Sequence, residues 1–170
     1  MATAGALLPL TSAQGAAESS QNRKDGIYDT GLRMAYGKFT ATVAGTSPTG
    51  LHLMFTLPAG RILLYKHLSY VSATQGVSTA NLSVGHGAYV NQDGTAVPAN
   101  SDLWVDAVDV GGGAINILFS ASTAVAAGVL AAAEYNSKSG IPVVIDIDTE
   151  DISIGDTVEV GICYCKEGSA

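Results

Sequence analysis

Catalysis, metal binding and redox chemistry each need particular side chains at particular spacings, and this chain offers few candidates. Three histidines, His52, His67 and His86, lie far apart in the sequence. They would make a metal trio only if folding gathered them. The first two fall in predicted strands, and each of the three reads as a side chain on a sheet face or at an interface. Asp102, Asp106 and Asp109 follow an i, i+4, i+7 spacing that would align three carboxylates if the segment were a short helix. Neither the loop glycine nor the bidentate glutamate of a calcium site flanks them, so the stripe reads as a solvated face.

Asp146 to Asp151 opens like a calcium loop, but Asp151 and Thr157 stand where such a loop carries Gly and Glu. It reads as an acidic turn between strands. Cys163 and Cys165 sit one residue apart, too close for a relaxed bridge and two ligands short of a structural zinc site. On a strand they share a face, and they read as reduced, core-facing small hydrophobes. No G-x-S-x-G elbow occurs: Ser47 precedes Pro48 in a turn, and Gly76-Val77-Ser78 lacks the closing glycine. Gly111–Gly113 is not followed by the Lys and Ser/Thr of a phosphate cradle. The chain is expected to be no enzyme and to carry no catalytic residue, cofactor or metal.

The elements that would position any site are strands. Leu51–Leu57 and Ile62–Val71 are rich in aliphatic and aromatic residues with Thr and Ser interleaved, which suits half-buried pleated backbone. A hairpin is expected about Pro58–Gly60. In 31–43 Leu32, Met34 and Tyr36 share one face and Arg33 and Ala35 the other, with Gly37 free to bulge. Asn81–Val84, Ala114–Ser120, Ile141–Ile147, Ile152–Ile154 and Thr157–Lys166 read as further strands. Residues 88–113 are the least regular part, with a turn at Asn91–Gly94 and an apolar knot at Leu103-Trp104-Val105. Residues 121–135 satisfy helix and strand about equally. Eight or so short strands with regular turns predict an all-β fold, an antiparallel β-sandwich with jelly-roll-like topology.

Composition limits the partners. Hydrophobic residues make up 47% and charged residues 14%, with 20 glycines and a mean hydropathy of +0.28. An ordinary soluble domain carries about 25% charged residues. The surface is therefore expected to be covered in part by other copies, as a homo-oligomer, and otherwise dressed in Ser, Thr, Asn and Gly. A net charge of −7 with scattered basic residues argues against nucleic acid. No run approaches the ~20 apolar residues of a membrane helix. The first seventeen residues lack the basic region of a secretion signal, so export is not expected.

Two units are expected: an extended N-terminal arm, 1–30, and a β-sandwich domain, 31–170. The arm is small and polar apart from Leu7, Leu8 and Leu10, and cannot by itself offset its ordering entropy. It is expected to lie across a neighbouring subunit, with those leucines in a groove.

Leu57-Pro58-Ala59-Gly60 launching a strand, Asn81-Leu82-Ser83-Val84-Gly85, and the ending Gly155-Asp156-Thr157-Val158-Glu159-Val160-Gly161-Ile162-Cys163-Tyr164 together resemble the small all-β virion structural proteins of tailed bacteriophages. The pattern spans roughly residues 31 to 166. The resemblance implies a capsid decoration or cement protein on the outer head surface, assembled in the host cytoplasm, with the major capsid protein as partner and a trimer as the favoured oligomer. Neck, tail or fibre attachment, and a carbohydrate-binding β-sandwich module, are the alternatives. Leu7, Leu8, Leu10 and Trp104 are the expected interaction residues.

Overall fold

In the computed structural model the described residues are 31–40, 51–74, 80–111, 113–121, 132–148 and 155–166. The arm expected over 1–30 lies outside them. They contain twelve strands: β1 Leu32–Thr40, β2 Leu51–Leu57, β3 Gly60–Tyr65, β4 Tyr70–Ala73, β5 Asn81–His86, β6 Tyr89–Val90, β7 Ala96–Val97, β8 Asn100–Asp109, β9 Ile115–Leu118, β10 Ala132–Ser137, β11 Ile141–Asp148 and β12 Thr157–Lys166.

The pairings nest from the outside of the chain inwards. β1 pairs β12, β2 pairs β11, β3 and β4 pair β10 and β9, and β5 pairs β8, all antiparallel. β12 also pairs β3 and β4, and β11 also pairs β5, which assembles a six-stranded sheet facing a four-stranded one. Folding a long hairpin over itself in this way gives two Greek keys, the jelly-roll sandwich. The apolar residues between the sheets include Leu57, Ile62, Leu82, Trp104, Phe119, Ile145 and Ile162, all fully buried.

Several local expectations are overturned. The Pro58–Gly60 turn does not close a hairpin: β2 belongs to one sheet and β3 to the other, so the turn is a corner between layers. Gly60, at φ 109°, takes the backbone conformation that this change of direction needs. The long strand expected over Ile62–Val71 is interrupted by a 3-10 turn at Lys66–Leu68, which holds His67. The turn shifts the alternation, so that Ile62 and Leu64 point inward before it and Val71 and Ala73 after it.

Residues 100–109 form a long strand instead of irregular chain, and no helix aligns Asp102, Asp106 and Asp109. The strand expected over 114–120 is Ile115–Leu118 followed by a 3-10 turn, Phe119–Ala121. Within the ambiguous stretch 121–135, Ala132 onward is strand and 122–131 lies outside the described residues, as do 152–154. Cys163 and Cys165 are both free thiols, and they alternate with the inward-facing Ile162 and Tyr164 on β12, so both lie on the outer face of the sheet, where Cys163 is nonetheless buried and Cys165 partly exposed.

Candidate interaction surface

Two regions of the sandwich differ from an ordinary solvated surface: one end, and the outer face of the larger sheet. At the end, the β2–β3 corner, the loops between β5 and β8, and the β10–β11 turn come together. Gly87 N–H donates to the Pro142 carbonyl at 2.9 Å and Lys138 N–H to that of Val90 at 2.8 Å. Gly140, at φ 102°, sits so close to β2 that a Cβ there would meet the Leu57 carbonyl oxygen at 2.6 Å.

Beneath this end lies an aromatic cluster. Trp104 stacks on Phe119 at 6.0 Å and meets Tyr135 edge-on at 6.0 Å, while His86 sits 5.2 Å from Tyr89 and 6.0 Å from Trp104. Trp104 Nε1–H donates to Tyr135 Oη at 2.6 Å, which satisfies the buried indole. His86 Nδ1 lies 3.0 Å from the Gly87 carbonyl, which can only accept, so Nδ1 carries the proton. Burial pushes the Tyr135 hydroxyl up to about 12, outweighing the Trp104 hydrogen bond, which acts in the opposite direction.

Trp104 points inward because β8 bulges over β5. His86 pairs with Asn100 while Val84 pairs with Val105, so two residues on one strand oppose five on the other. Gly85 makes room for the crossing: a Cβ there would meet the Asn100 carbonyl oxygen. A second shift places Ala107 at φ 45°, with its N–H donating to Ser83 Oγ at 3.0 Å. Above the cluster, β6 and β7 make a short ribbon whose turn is closed by Asn91 N–H to Thr95 O and Thr95 N–H to Asp93 Oδ1, both 2.8 Å. Ala88, Tyr89, Val90, Ala96, Val97 and Pro98 line an open apolar recess of about 450 Å³ on this ribbon.

The outer face of the larger sheet is the second region. Cross-strand partners share a face, so Leu32 with Cys165, Met34 with Cys163, and Tyr36 with Tyr70 on either side of Gly161 all lie on it. Leu63 and Leu118 continue it across β3 and β9. Leu32 is 54%, Met34 39% and Leu118 46% exposed. Ion pairs mark the flanks: Lys38 with Glu159 at 2.9 Å, and Arg61 with both oxygens of Glu134 at 2.6 and 2.7 Å. Lys38 draws the Glu159 carboxyl below the usual carboxylate range, and Arg61 does the same for Glu134. Burial, then the neighbouring Glu159, pushes the Tyr36 hydroxyl up to about 12. The opposite outer face is mixed, with Ser101 Oγ donating to Asp146 Oδ2 at 3.2 Å beside Leu53 on β2, which is 64% exposed.

Of the residues expected at the interface, Trp104 is fully buried in the cluster, and Leu7, Leu8 and Leu10 lie outside the described residues. Met34 and Leu118 were missed as surface candidates. Their signal was that both alternating sets of β12 and its neighbours are apolar, so one set had to face outward. Among the described residues no cluster of His, Cys, Asp and Glu could hold a metal ion. Burial raises the Cys163 thiol, with the nearby Cys165 adding to the effect, which keeps it a protonated, weak nucleophile.

No protein-family model matches the chain, and no curated protein sequence matches it. Its fold is similar to that of a chain in the capsid of Ralstonia phage GP4, with a TM-score of 0.52 at 13% identity, over 82% of this chain and 86% of that one. A chain of the cyanophage Pam1 capsid asymmetric unit aligns at 18% identity over 79% of this chain and 84% of that one, with a TM-score of 0.44. One from the acid-stable capsid of Helicobacter pylori bacteriophage KHP30 aligns at 18% identity over 79% and 86%, with a TM-score of 0.38. At 13% identity the property shared with the GP4 chain is the antiparallel jelly-roll-like sandwich.

Proposed function

We propose that the chain is a virion structural protein, a capsid decoration or cement protein that oligomerises on the outer surface of a phage head. The observation that carries this reading is the jelly-roll sandwich it shares with a chain of the Ralstonia phage GP4 capsid. The apolar outer face supports it, since an exposed contiguous patch of this kind marks an interaction surface. The partners are further copies of the chain, with a trimer favoured, and the major capsid protein. Contacts run through the outer face and the N-terminal residues Leu7, Leu8 and Leu10. Trp104 acts indirectly, by holding the loops above it. Many identical sites make modest single contacts add up, and binding that requires the assembled lattice stabilises that lattice by mass action.

The exposed β6–β7 ribbon favours a second reading, in which the loops of a neck, tail or fibre-attached protein face a host receptor. Copy number separates the two. Quantitative mass spectrometry of washed particles should find this chain at hundreds of copies, in fixed ratio to the major capsid protein. A handful of copies would place it at a unique vertex, neck or tail, and none would overturn the virion reading.

A further inference from the structure

On the outer face of the six-stranded sheet, two adjacent strands bring sulfur side chains together. Cys163 and Cys165 are free thiols on β12. Two residues apart on one strand, they leave the same face about 6–7 Å from each other. Met34 on β1 is the cross-strand partner of Cys163, which sets their Cβ atoms about 4.5–5.5 Å apart. Cys165 lies diagonal to Met34, within reach of an unbranched, flexible thioether side chain. We propose that Cys163, Cys165 and Met34 form a binding site for a soft monovalent metal ion, Cu(I) or its analogue Ag(I).

The donor set selects the ion. Thiolate and thioether are the soft ligands that favour Cu(I), whereas Mg2+ and Ca2+ take carboxylate, carbonyl and water oxygen. Structural zinc asks for four ligands in a tetrahedron, and the two thiols supply half of them. Cu(I) and Ag(I) are closed-shell ions that two or three sulfurs satisfy. Methionine therefore completes a site that histidine, cysteine and carboxylate do not make among the described residues. Leu32 across β1 and Leu63 across β3 flank Cys165 and offer no oxygen to a competing hard cation.

Neighbouring groups hold the thiols in place. Ser69 Oγ accepts from Cys163 N–H at 3.0 Å, which fixes the backbone beneath that thiol. The Tyr65 hydroxyl hydrogen-bonds to Cys165, and His67 meets the Tyr65 ring edge-on at 5.8 Å. Partners of this kind orient metal ligands and tune their affinity. Met34 is 39% exposed and Cys165 partly so, which gives an ion a way in from solvent.

Binding involves no electron transfer. The metal stays in its +1 state, two S–H bonds give way to two S–metal bonds, and both protons leave to solvent. The thioether contributes a lone pair and loses nothing. The bound ion ties β1 to β12, the strand with which β1 pairs. The site rests on the register of these two strands and stands apart from the capsid reading.

The test titrates the reduced full-length protein with Ag(I), which needs no reductant, and with Cu(I) under anaerobic conditions against a chromogenic Cu(I) chelator. Native mass spectrometry should find one ion per chain with two protons displaced. Altering a group that only orients a ligand costs about 10–100-fold in affinity, so Cys163→Ser and Cys165→Ser should each cost about a hundredfold or more and Met34→Leu about tenfold. X-ray absorption at the copper edge should lose one sulfur neighbour in Met34→Leu. Circular dichroism checks that each variant is folded; if Cys163→Ser is not, Cys165→Ser and Met34→Leu carry the test from the exposed side. Unchanged affinity in folded Met34→Leu would overturn the three-sulfur site, and unchanged affinity in Cys165→Ser would put the ion elsewhere on the chain. One ion per two chains would overturn it as well, assigning the thiols to a contact between copies.

Discussion

Tyr135 and Trp104 show how burial makes a hydrogen-bonded pair sensitive to pH. Trp104 is the chain's one tryptophan and has no exposed surface, so its fluorescence reports on the cluster alone. Trp104→Phe removes the N–H that donates to Tyr135 Oη and leaves unfilled space beside Phe119. It should lower stability by about 1–3 kcal/mol, measured by urea denaturation followed by circular dichroism. The pH prediction rests on burial, which raises the Tyr135 hydroxyl against the opposing effect of that bond. Because the folded-state value of Tyr135 lies at about 12, above the ordinary 10, the folded protein holds the phenol proton more tightly than the unfolded chain. That stability is fully present below pH 10 and is lost as pH rises from 10 through 12. At ~1.4 kcal/mol per unit it amounts to roughly 2–3 kcal/mol. Tyr36 shifts in the same direction but lies on the sheet surface, where solvent discounts its contribution. Urea midpoints at pH 9 and pH 11.5 should therefore converge in Tyr135→Phe relative to the unaltered chain; an unchanged gap would show that other groups set the alkaline limit. The sequence made Trp104 legible as an apolar knot but not as a core residue. Its direction is set by a bulge against β5, and a bulge resets the alternation from which facing is read.

Among the elements, the broken strand of β3 and β4 illustrates how an interruption is made tolerable. β12 runs past both halves, pairing Tyr164–Lys166 with β3 and Val158–Gly161 with β4. Cys163 falls opposite the 3-10 turn between them. Ser69 fills the gap: its Oγ accepts from Cys163 N–H at 3.0 Å and donates to the Tyr65 carbonyl at 2.8 Å, while its own carbonyl accepts from Phe119 N–H at 2.9 Å. Ser69→Ala would leave the buried Cys163 amide without its acceptor, a cost of about 1–3 kcal/mol. Hydrogen exchange at Cys163 should accelerate more than at Glu159 on the same strand, where the ladder to Ser72 is intact. Uniform acceleration along β12 would mean the hydroxyl matters only to global stability. Strand positions were largely legible here, because period-two alternation and Gly/Pro punctuation are local signals. Partner choice was not. Pro58-Ala59-Gly60 satisfies a hairpin and a corner between sheets equally well, and only β10, β11 and β12, far away in sequence, decide between them. The β8 crossing depends on a similarly distant match, with Gly85 leaving room for the Asn100 backbone.

For the whole molecule, the telling feature is the large apolar side chains that the sheets leave facing outward. The six-stranded sheet shows Leu32, Met34 and Leu118 outward, and the four-stranded sheet shows Leu53 together with serine and aspartate. The composition made this legible as a shortage of charge, yet it could not say which face was uncharged, since Leu32 and Met34 alternate with the buried Arg33 and Ala35 and either set could have faced the core. The structure places the larger apolar residues outside and the small Ala35 and Gly37 inside, where a Cβ at Gly37 would press on the Phe55 ring at 2.6 Å. The inward set, Arg33, Ala35, Gly37 and Phe39, packs against the core at that edge and leaves Leu32 and Met34 for an external contact. If the outer face serves assembly and not folding, then Met34→Glu and Leu118→Glu should change unfolding free energy by no more than about 0.5 kcal/mol, as exposed substitutions do. The same changes should abolish self-association in sedimentation velocity and retention on purified particles, because each places a charge in the middle of a surface that must be desolvated. Asp102→Asn, on the four-stranded sheet, provides the matched control and should leave association intact. Loss of stability in the Met34 and Leu118 variants would instead assign the face to the fold of the subunit itself, and unchanged association in stable variants would move the contact surface to the ribbon of β6 and β7.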